Sequence, residues 1–185
     1  MDTVGAGDGF AAGVISGVME GLPLAQAVQR GSAIGTIQIM HVSDNEGLPS
    51  REAVDAGAKA VISPGTNLET VRWCLRNGVP VIPGCATPSE VESNMREGLK
   101  LVKLFPAEVV GVVGMLKAMA GSYAAMKFMP TGGVKPGNVQ NYLRLANVTA
   151  CGGTWIVPGE LLSTERFDEI ERLAREAESL RDQVR

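Results

Sequence analysis

The sequence predicts an α/β fold built on parallel strands, and three observations carry that prediction. Five short apolar runs recur after residue 58, each ends in glycine or proline, and helical signals fill the segments between them. A repeated strand, loop and helix means parallel strands joined by helical crossovers. The runs are KAVISPG (59–65), VPVIPG (79–84), LKLVKLFP (99–106), KFMPTGG (127–133) and VTACGGTW (148–155). Strands are expected near 60–63, 80–82, 101–105, 127–130 and 149–152, adjacent in that order. The runs are apolar at nearly every position, as a covered parallel sheet requires. Glycine and proline gather at the strand C-terminal ends, the active face of both a (β/α)8 barrel and a doubly wound sheet. Five units are too few to close an eight-stranded barrel.

Helical signals support the connections. Thr87-Pro88-Ser89-Glu90 spells a capping box with proline at the first helical position. The last helix is expected over about Arg166–Val184, with Phe167, Ile170, Leu173, Ala177 and Leu180 on one face. Asp168–Arg172 and Glu171–Arg175 are spaced to pair on its wet side. The part before about Ala56 has a different grammar: it is glycine-rich and helical in pattern. Phe10–Glu20 reads as a tightly packed helix stopped by Gly21 and Pro23, another helix follows from about Leu24, and Asp44–Pro49 reads as a turn.

Composition narrows the function. The 185 residues carry 17 basic and 20 acidic side chains, a formal net charge of -3. That balance gives no electrostatic reason to expect nucleic acid as a partner. No apolar run is long enough to span a bilayer, and the opening MDTVGAGDGF does not read as a signal peptide. Cys74, Cys85 and Cys151 are scattered and odd in number, which suits reduced thiols in the cytoplasm. The single histidine, His41, reads as an ordinary boundary residue, and no zinc-type ligand spacing occurs.

Three features could carry chemistry. Lys103 lies in the stretch Leu99–Phe105, apolar apart from it and Lys100, just before Pro106. On an inward-facing position desolvation lowers a lysine's pKa and frees the amine as a nucleophile. Such an amine can form a Schiff base with a ketone, an electron sink for breaking the neighbouring carbon–carbon bond. The alternative is a side chain that reaches solvent at the strand end, as Lys100 would. The second feature is a pair of double glycines, Thr131-Gly132-Gly133 and Gly152-Gly153-Thr154, ending consecutive runs. They can present bare N–H groups and a threonine hydroxyl to a phosphate, or they are simply turns needing positive φ. The third is Gly5-Ala6-Gly7-Asp8 ahead of the Phe10 helix. It makes either an anion hole with an acidic base or, more simply, a helix cap.

The wording of these motifs resembles two known families. DTVGAGDGFAAG (2–13) resembles the C-terminal signature of ribokinase-like (PfkB) sugar kinases, and the text through DNEGLPSREAV (44–54) resembles the tail of a 2-keto-3-deoxygluconate kinase. That resemblance implies a catalytic base at Asp8 and an anion hole at Gly5, Ala6 and Gly7, with Gly9 replacing the usual Ala or Ser. From about Ala56 the chain is similar to 2-keto-3-deoxy-6-phosphogluconate (KDPG) aldolase, through AGAKAVISPGTN, VPVIPGCATPSE, LKLVKLFPAE, KFMPTGGV and ACGGTWIVP. This second resemblance implies a class I aldolase of the Entner–Doudoroff pathway, a (β/α)8 barrel, a homotrimer, a small phosphorylated keto-acid substrate and no metal or other cofactor. The Schiff-base lysine of the family's K-x-F-P-A-E motif falls on Lys103. Substrate contacts fall on Pro83, Phe105, Thr131, Gly132, Gly133, Gly152, Gly153 and Thr154.

The expected organisation is therefore a kinase-like fragment over 1–55 and a partial barrel of about five C-terminal βα units over 56–185. The family's proton-shuttling glutamate and substrate arginine find no match before Gly57, since neither Glu46 nor Glu52 has the right context. Aldol cleavage, impaired by truncation, is the expected activity; the alternatives are a sugar kinase fragment and a non-catalytic chimeric remnant.

Overall fold

The computed structural model describes residues 60–184 and, before them, Gln26 alone. The expected Phe10–Glu20 helix, the Gly5–Asp8 loop and His41 lie outside the described residues. Two compact units divide between Cys85 and Ala86.

The first unit contains β1 (Val61–Ile62), α1 (Leu68–Arg76), β2 (Val81–Ile82) and β3 (Gly84–Cys85). β1 and β2 are parallel, Val61 opposite Val81 and Ile62 opposite Ile82. The strands are shorter than their apolar runs because Pro64, Pro80 and Pro83 flank them and lack the N–H a ladder needs. α1 starts at Asn67, whose side chain accepts from the N–H groups of Glu69 (2.9 Å) and Thr70 (3.2 Å). It buries Val71 and Cys74. Gly84 is fixed by space: a Cβ there would stand 1.9 Å from the Pro64 carbonyl oxygen.

The second unit runs α2 (Pro88–Arg96), β4 (Leu101–Leu104), α3 (Val112–Ser122), β5 (Lys127–Pro130), α4 (Val139–Leu143), a 3-10 turn (Thr154–Ile156), α5 (Gly159–Ser163) and α6 (Phe167–Asp182). β4 and β5 are parallel, with Lys103 opposite Met129 and Leu104 opposite Pro130. Val102, Leu104, Leu116 and Phe128 are fully buried around this pair. Each such side chain contributes roughly 1.5–3 kcal/mol by leaving water.

The capping box forms as the sequence predicts. The Thr87 N–H donates to Glu90 (2.9 Å), Glu90 N–H donates to the Thr87 hydroxyl (3.4 Å), and the Ala86 N–H joins at 2.9 Å. Burial works to raise the Glu90 pKa, but the N–H groups of Ala86 and Thr87 and the Thr87 hydroxyl outweigh it and hold the carboxyl below its ordinary value. A group depressed in the folded state stabilises above its unfolded pKa and loses that contribution as pH falls through the folded value. Thr87→Ala is expected to cost about 1 kcal/mol in urea unfolding at neutral pH. The Glu90→Gln deficit should shrink on acidification below the carboxylate range; a deficit constant with pH would count against this account.

Two expectations need correction. Residues 149–152 form no strand; a single parallel bridge, Phe128 to Val148, stands in its place. The Phe128 N–H donates to Asn147 (2.8 Å) and the Thr149 N–H to Phe128 (3.1 Å). The ladder then stops because Pro130, two residues on, has no N–H to give; its carbonyl instead accepts from Gly152 (3.0 Å). In α6, Arg172 pairs with Glu169 (2.9 Å) and Glu176 rather than with Asp168, while Glu171–Arg175 pairs as expected at 2.6 Å. Ile170 is the buried anchor of that helix.

Candidate active site

Successive strand residues face opposite ways, so β4 turns Val102 and Leu104 to one side and Leu101 and Lys103, with Phe105 beyond, to the other. Lys103 is 0% exposed. Lysine is almost never so buried without a specific environment. Its Nζ stands 4.8 Å from the centroid of the Phe105 ring, within cation–π range. The alternative of a lysine reaching solvent from the strand end is therefore excluded.

The loops after β4 and β5 are sewn together by backbone bonds. The Thr131 N–H donates to Leu104 (2.9 Å), the Ala107 N–H to Thr131 (2.8 Å) and the Glu108 N–H to Gly132 (3.1 Å). This seam brings the first double glycine against the Lys103 strand. Gly132 has φ +90°, and a Cβ there would meet the Phe105 ring at 3.0 Å and Pro106 Cα at 3.1 Å. Gly133 has φ +81°, and its Cβ would meet Glu108 Cβ and Cγ at 2.7 Å. Both conformations belong to glycine. Among the described residues the N–H groups of Gly132 and Gly133 find no acceptor. Thr131 is 7% exposed, and its Oγ1 has no hydrogen-bond partner among the described residues. A buried hydroxyl without a partner is costly in a finished core.

The second double glycine has a different reason to be there. Neither Gly152 nor Gly153 has positive φ; Gly153 is extended, with φ -156°. Space decides instead. A Cβ on Gly152 would lie 2.8 Å from Thr131 Cγ2, and one on Gly153 1.7 Å from the Trp155 ring. Gly152 thus meets Thr131, which joins the two glycine pairs on one side of the unit. Thr154 is exposed in the 3-10 turn. Pro83 belongs to the first unit, between β2 and β3.

Sequence reasoning missed three residues that hold this arrangement. Tyr142, buried on α4, donates its hydroxyl to Glu108 Oε1. Burial, and then the Glu108 carboxylate, push its phenol pKa up. Asn138 takes the Lys135 N–H on Oδ1 (2.7 Å) and donates Nδ2 to the Gly133 carbonyl (3.2 Å). The only signal for Asn138 was the turn-like text Lys135-Pro136-Gly137-Asn138. Nearby Cys151 has its thiol pushed up to about 12 by burial, so it stays protonated at neutral pH and is no nucleophile.

The chain has relatives among known proteins. Residues 42–173 match the model of the KDPG and KHG aldolase family, and residues 1–51 match that of the pfkB family carbohydrate kinases. The 2-dehydro-3-deoxy-phosphogluconate aldolase of Treponema pallidum is 40% identical over 127 residues, 69% of this chain and 60% of that protein. The KHG/KDPG aldolase of Escherichia coli K12 is 43% identical over 126 residues, 68% and 59% respectively. The chain thus spans about 60% of the length of these curated relatives. Among solved structures, KDPG aldolase of Legionella pneumophila, with pyruvate captured as a covalent carbinolamine, superposes with a TM-score of 0.67 at 29% identity, covering 94% of this chain and 88% of that one. The aldolase of Zymomonas mobilis ZM4, with 3-phosphoglycerate, gives 0.66 at 25% identity, covering 95% and 86%. A parallel β4–β5 pair, a lysine buried on β4 and a family match across most of the chain lead to one conclusion: the chain belongs to the KDPG and KHG aldolase family.

Proposed function

We propose that this chain is a Schiff-base aldolase that cleaves 2-keto-3-deoxy-6-phosphogluconate to pyruvate and glyceraldehyde 3-phosphate through Lys103. The reading is carried by a lysine fully buried on β4, the strand whose following loop is bonded to the Gly132–Gly133 turn. A lysine amine at that place is the nucleophile that Schiff-base chemistry needs.

In the proposed reaction the Lys103 amine adds to the C2 ketone, giving a carbinolamine that loses water to an iminium. The C4 hydroxyl then gives up its proton, the C3–C4 bond breaks, and its electron pair moves into the iminium to leave an enamine. Glyceraldehyde 3-phosphate departs as the aldehyde. A proton returns to C3, and water hydrolyses the iminium to release pyruvate and the free amine. The Legionella relative, with its covalent pyruvate carbinolamine, lends this route support. No metal or other cofactor is required.

Phe105 is assigned to line the site, and Pro83 is assigned a substrate contact on the resemblance alone. Thr131, Gly132, Gly133, Gly152, Gly153 and Thr154 are assigned to the substrate and its phosphate. The Thr131 hydroxyl and the N–H groups of Gly132 and Gly133, without partners among the described residues, support the first part of that cradle; the exposed Thr154 is its outer member. We read residues 56–185 as a partial (β/α)8 barrel, trimeric and cytoplasmic, with residues 1–55 as a kinase-like remnant.

A proton shuttle is still needed for cleavage. The family's glutamate has no match in context before Gly57, and general acid–base help is typically worth about 10²–10⁴-fold. The expected result is slow, Lys103-dependent pyruvate release from the phosphorylated substrate, measured by coupling to lactate dehydrogenase. Release that survives loss of Lys103, or none at all from a folded chain, would overturn the assignment. The match of residues 1–51 to carbohydrate kinases favours a second reading, a sugar kinase fragment using Asp8 as base. ATP-dependent phosphorylation of 2-keto-3-deoxygluconate would establish it.

A further inference from the structure

α4 and its N-cap reach the first double-glycine turn by two routes, one direct and one through Glu108. Asn138, at the N-terminal end of α4, donates its amide directly to the Gly133 carbonyl at 3.2 Å, while its oxygen takes the Lys135 N–H at 2.7 Å. Tyr142, within the same helix, donates to the Glu108 carboxylate. Glu108 in turn binds the Gly132 carbonyl through its own N–H at 3.1 Å, and its Cβ and Cγ fill the space a side chain at Gly133 would need. The turn is thus tied directly to the N-cap of α4 at Gly133 and, through Glu108, to Tyr142 within that helix.

The grip acts on a segment whose conformation is not self-determined. Two consecutive glycines have the widest backbone freedom available, and holding both at positive φ costs chain entropy. Their N–H groups have no acceptor within the described residues, so nothing on the donor side fixes them. Only the carbonyl side is tied, to Glu108 at Gly132 and to Asn138 at Gly133. With the carbonyls anchored into the protein, the N–H groups are held ready for an anion without first having to be ordered.

We propose that Asn138 and Tyr142 are positioning residues for phosphoryl binding: Asn138 directly, and Tyr142 through Glu108, they hold the Gly132–Gly133 turn in its anion-binding conformation. This rests on reading that turn as the phosphoryl end of the site. It predicts a split. Affinity for phosphate depends on the clamp, while the keto-acid chemistry at Lys103 does not.

The test uses two probes on the full chain. Inorganic phosphate binding is measured by calorimetry, which does not depend on Lys103; pyruvate with borohydride reports on the amine. Tyr142→Phe keeps the buried ring and removes only the hydroxyl. Asn138→Asp keeps the acceptor for Lys135 but sets a carboxylate against the Gly133 carbonyl. Each is expected to weaken phosphate at least about fivefold, roughly the loss of one hydrogen bond, while the pyruvate concentration for half-trapping stays within about twofold. Glu108→Gln keeps an acceptor for Tyr142 and should retain most of the phosphate affinity, whereas Glu108→Ala should match Tyr142→Phe. Phosphate affinity unchanged in the folded variants, equal losses for both probes, or no phosphate binding by the unaltered chain would overturn the proposal. If one variant fails to fold, the other decides on the same criteria. Failure of pyruvate trapping alone, with the phosphate pattern as expected, would count against the Schiff-base reading and leave the clamp standing.

Discussion

Gly133→Val is expected to lower both stability and phosphate affinity sharply. Gly133 sits at φ +81°, where an L side chain costs about 1–2 kcal/mol and a β-branched one more. The new Cβ would also arrive 2.7 Å from Glu108 Cβ and Cγ. Cβ is fixed to the backbone, so the Glu108 segment must move as a whole and strain its bond to Gly132. Together these should cost about 2–4 kcal/mol in urea unfolding, in the range of backbone strain plus overpacking. Phosphate affinity should fall at least about tenfold, because the turn relaxes by moving its N–H groups. Gly137→Ala is the matched control. A Cβ there meets nothing within 4 Å and φ is not positive, so stability should stay level or rise slightly. Similar losses in the two variants would show that glycine content, rather than the conformation of the Gly132–Gly133 turn, sets the result.

Lys103→Arg and Lys103→Met are both expected to abolish covalent trapping of pyruvate. Arginine keeps a positive charge over the Phe105 ring, so a purely structural cation–π role would survive it. Its guanidinium does not lose a proton in proteins and cannot supply the nucleophile. Methionine keeps the apolar stem and removes the charge. If Lys103 served only the fold, arginine would retain more function than methionine. If it is the nucleophile, the two fail alike in trapping and in pyruvate release, whatever their differences in unfolding. Retained trapping in either variant, measured by intact mass after reduction, would contradict the proposed role.

Much of the fold is legible in the sequence. Short parallel strands punctuated by Pro64, Pro83 and Pro106, the capping box at Thr87–Glu90 and the Lys103 strand all rest on local rules, and local rules operate within a few residues. What escaped depends on partners far apart in the chain. The fifth strand looked sound by its own composition; it was cut short by Pro130 on the neighbouring strand, which has no N–H to offer. Arg172 could pair with any of several acidic residues one turn away, and spacing alone does not choose among Asp168, Glu169 and Glu176.

The double glycines show the same division. Positive φ was a fair expectation for both pairs and holds only at Gly132 and Gly133. At Gly152 and Gly153 the requirement comes from the Thr131 methyl and the Trp155 ring, contacts that only the folded chain defines. Glu108 reads as part of the K-x-F-P-A-E motif and Tyr142 belongs to no motif at all; 34 positions separate them, and no periodicity announces that they bond. The residues proposed to do chemistry were therefore visible in the sequence, while those proposed to hold them in place were not.

If Lys103 is the Schiff-base nucleophile, pyruvate must leave a reducible covalent mark on that residue. The full chain is incubated with pyruvate and borohydride, digested, and the reduced adduct located by peptide mass spectrometry. A single modification on Lys103, absent when borohydride is omitted, is the predicted result. Label on Lys100, Lys127 or another lysine, or an unlabelled chain whose circular dichroism shows it to be folded, would contradict it.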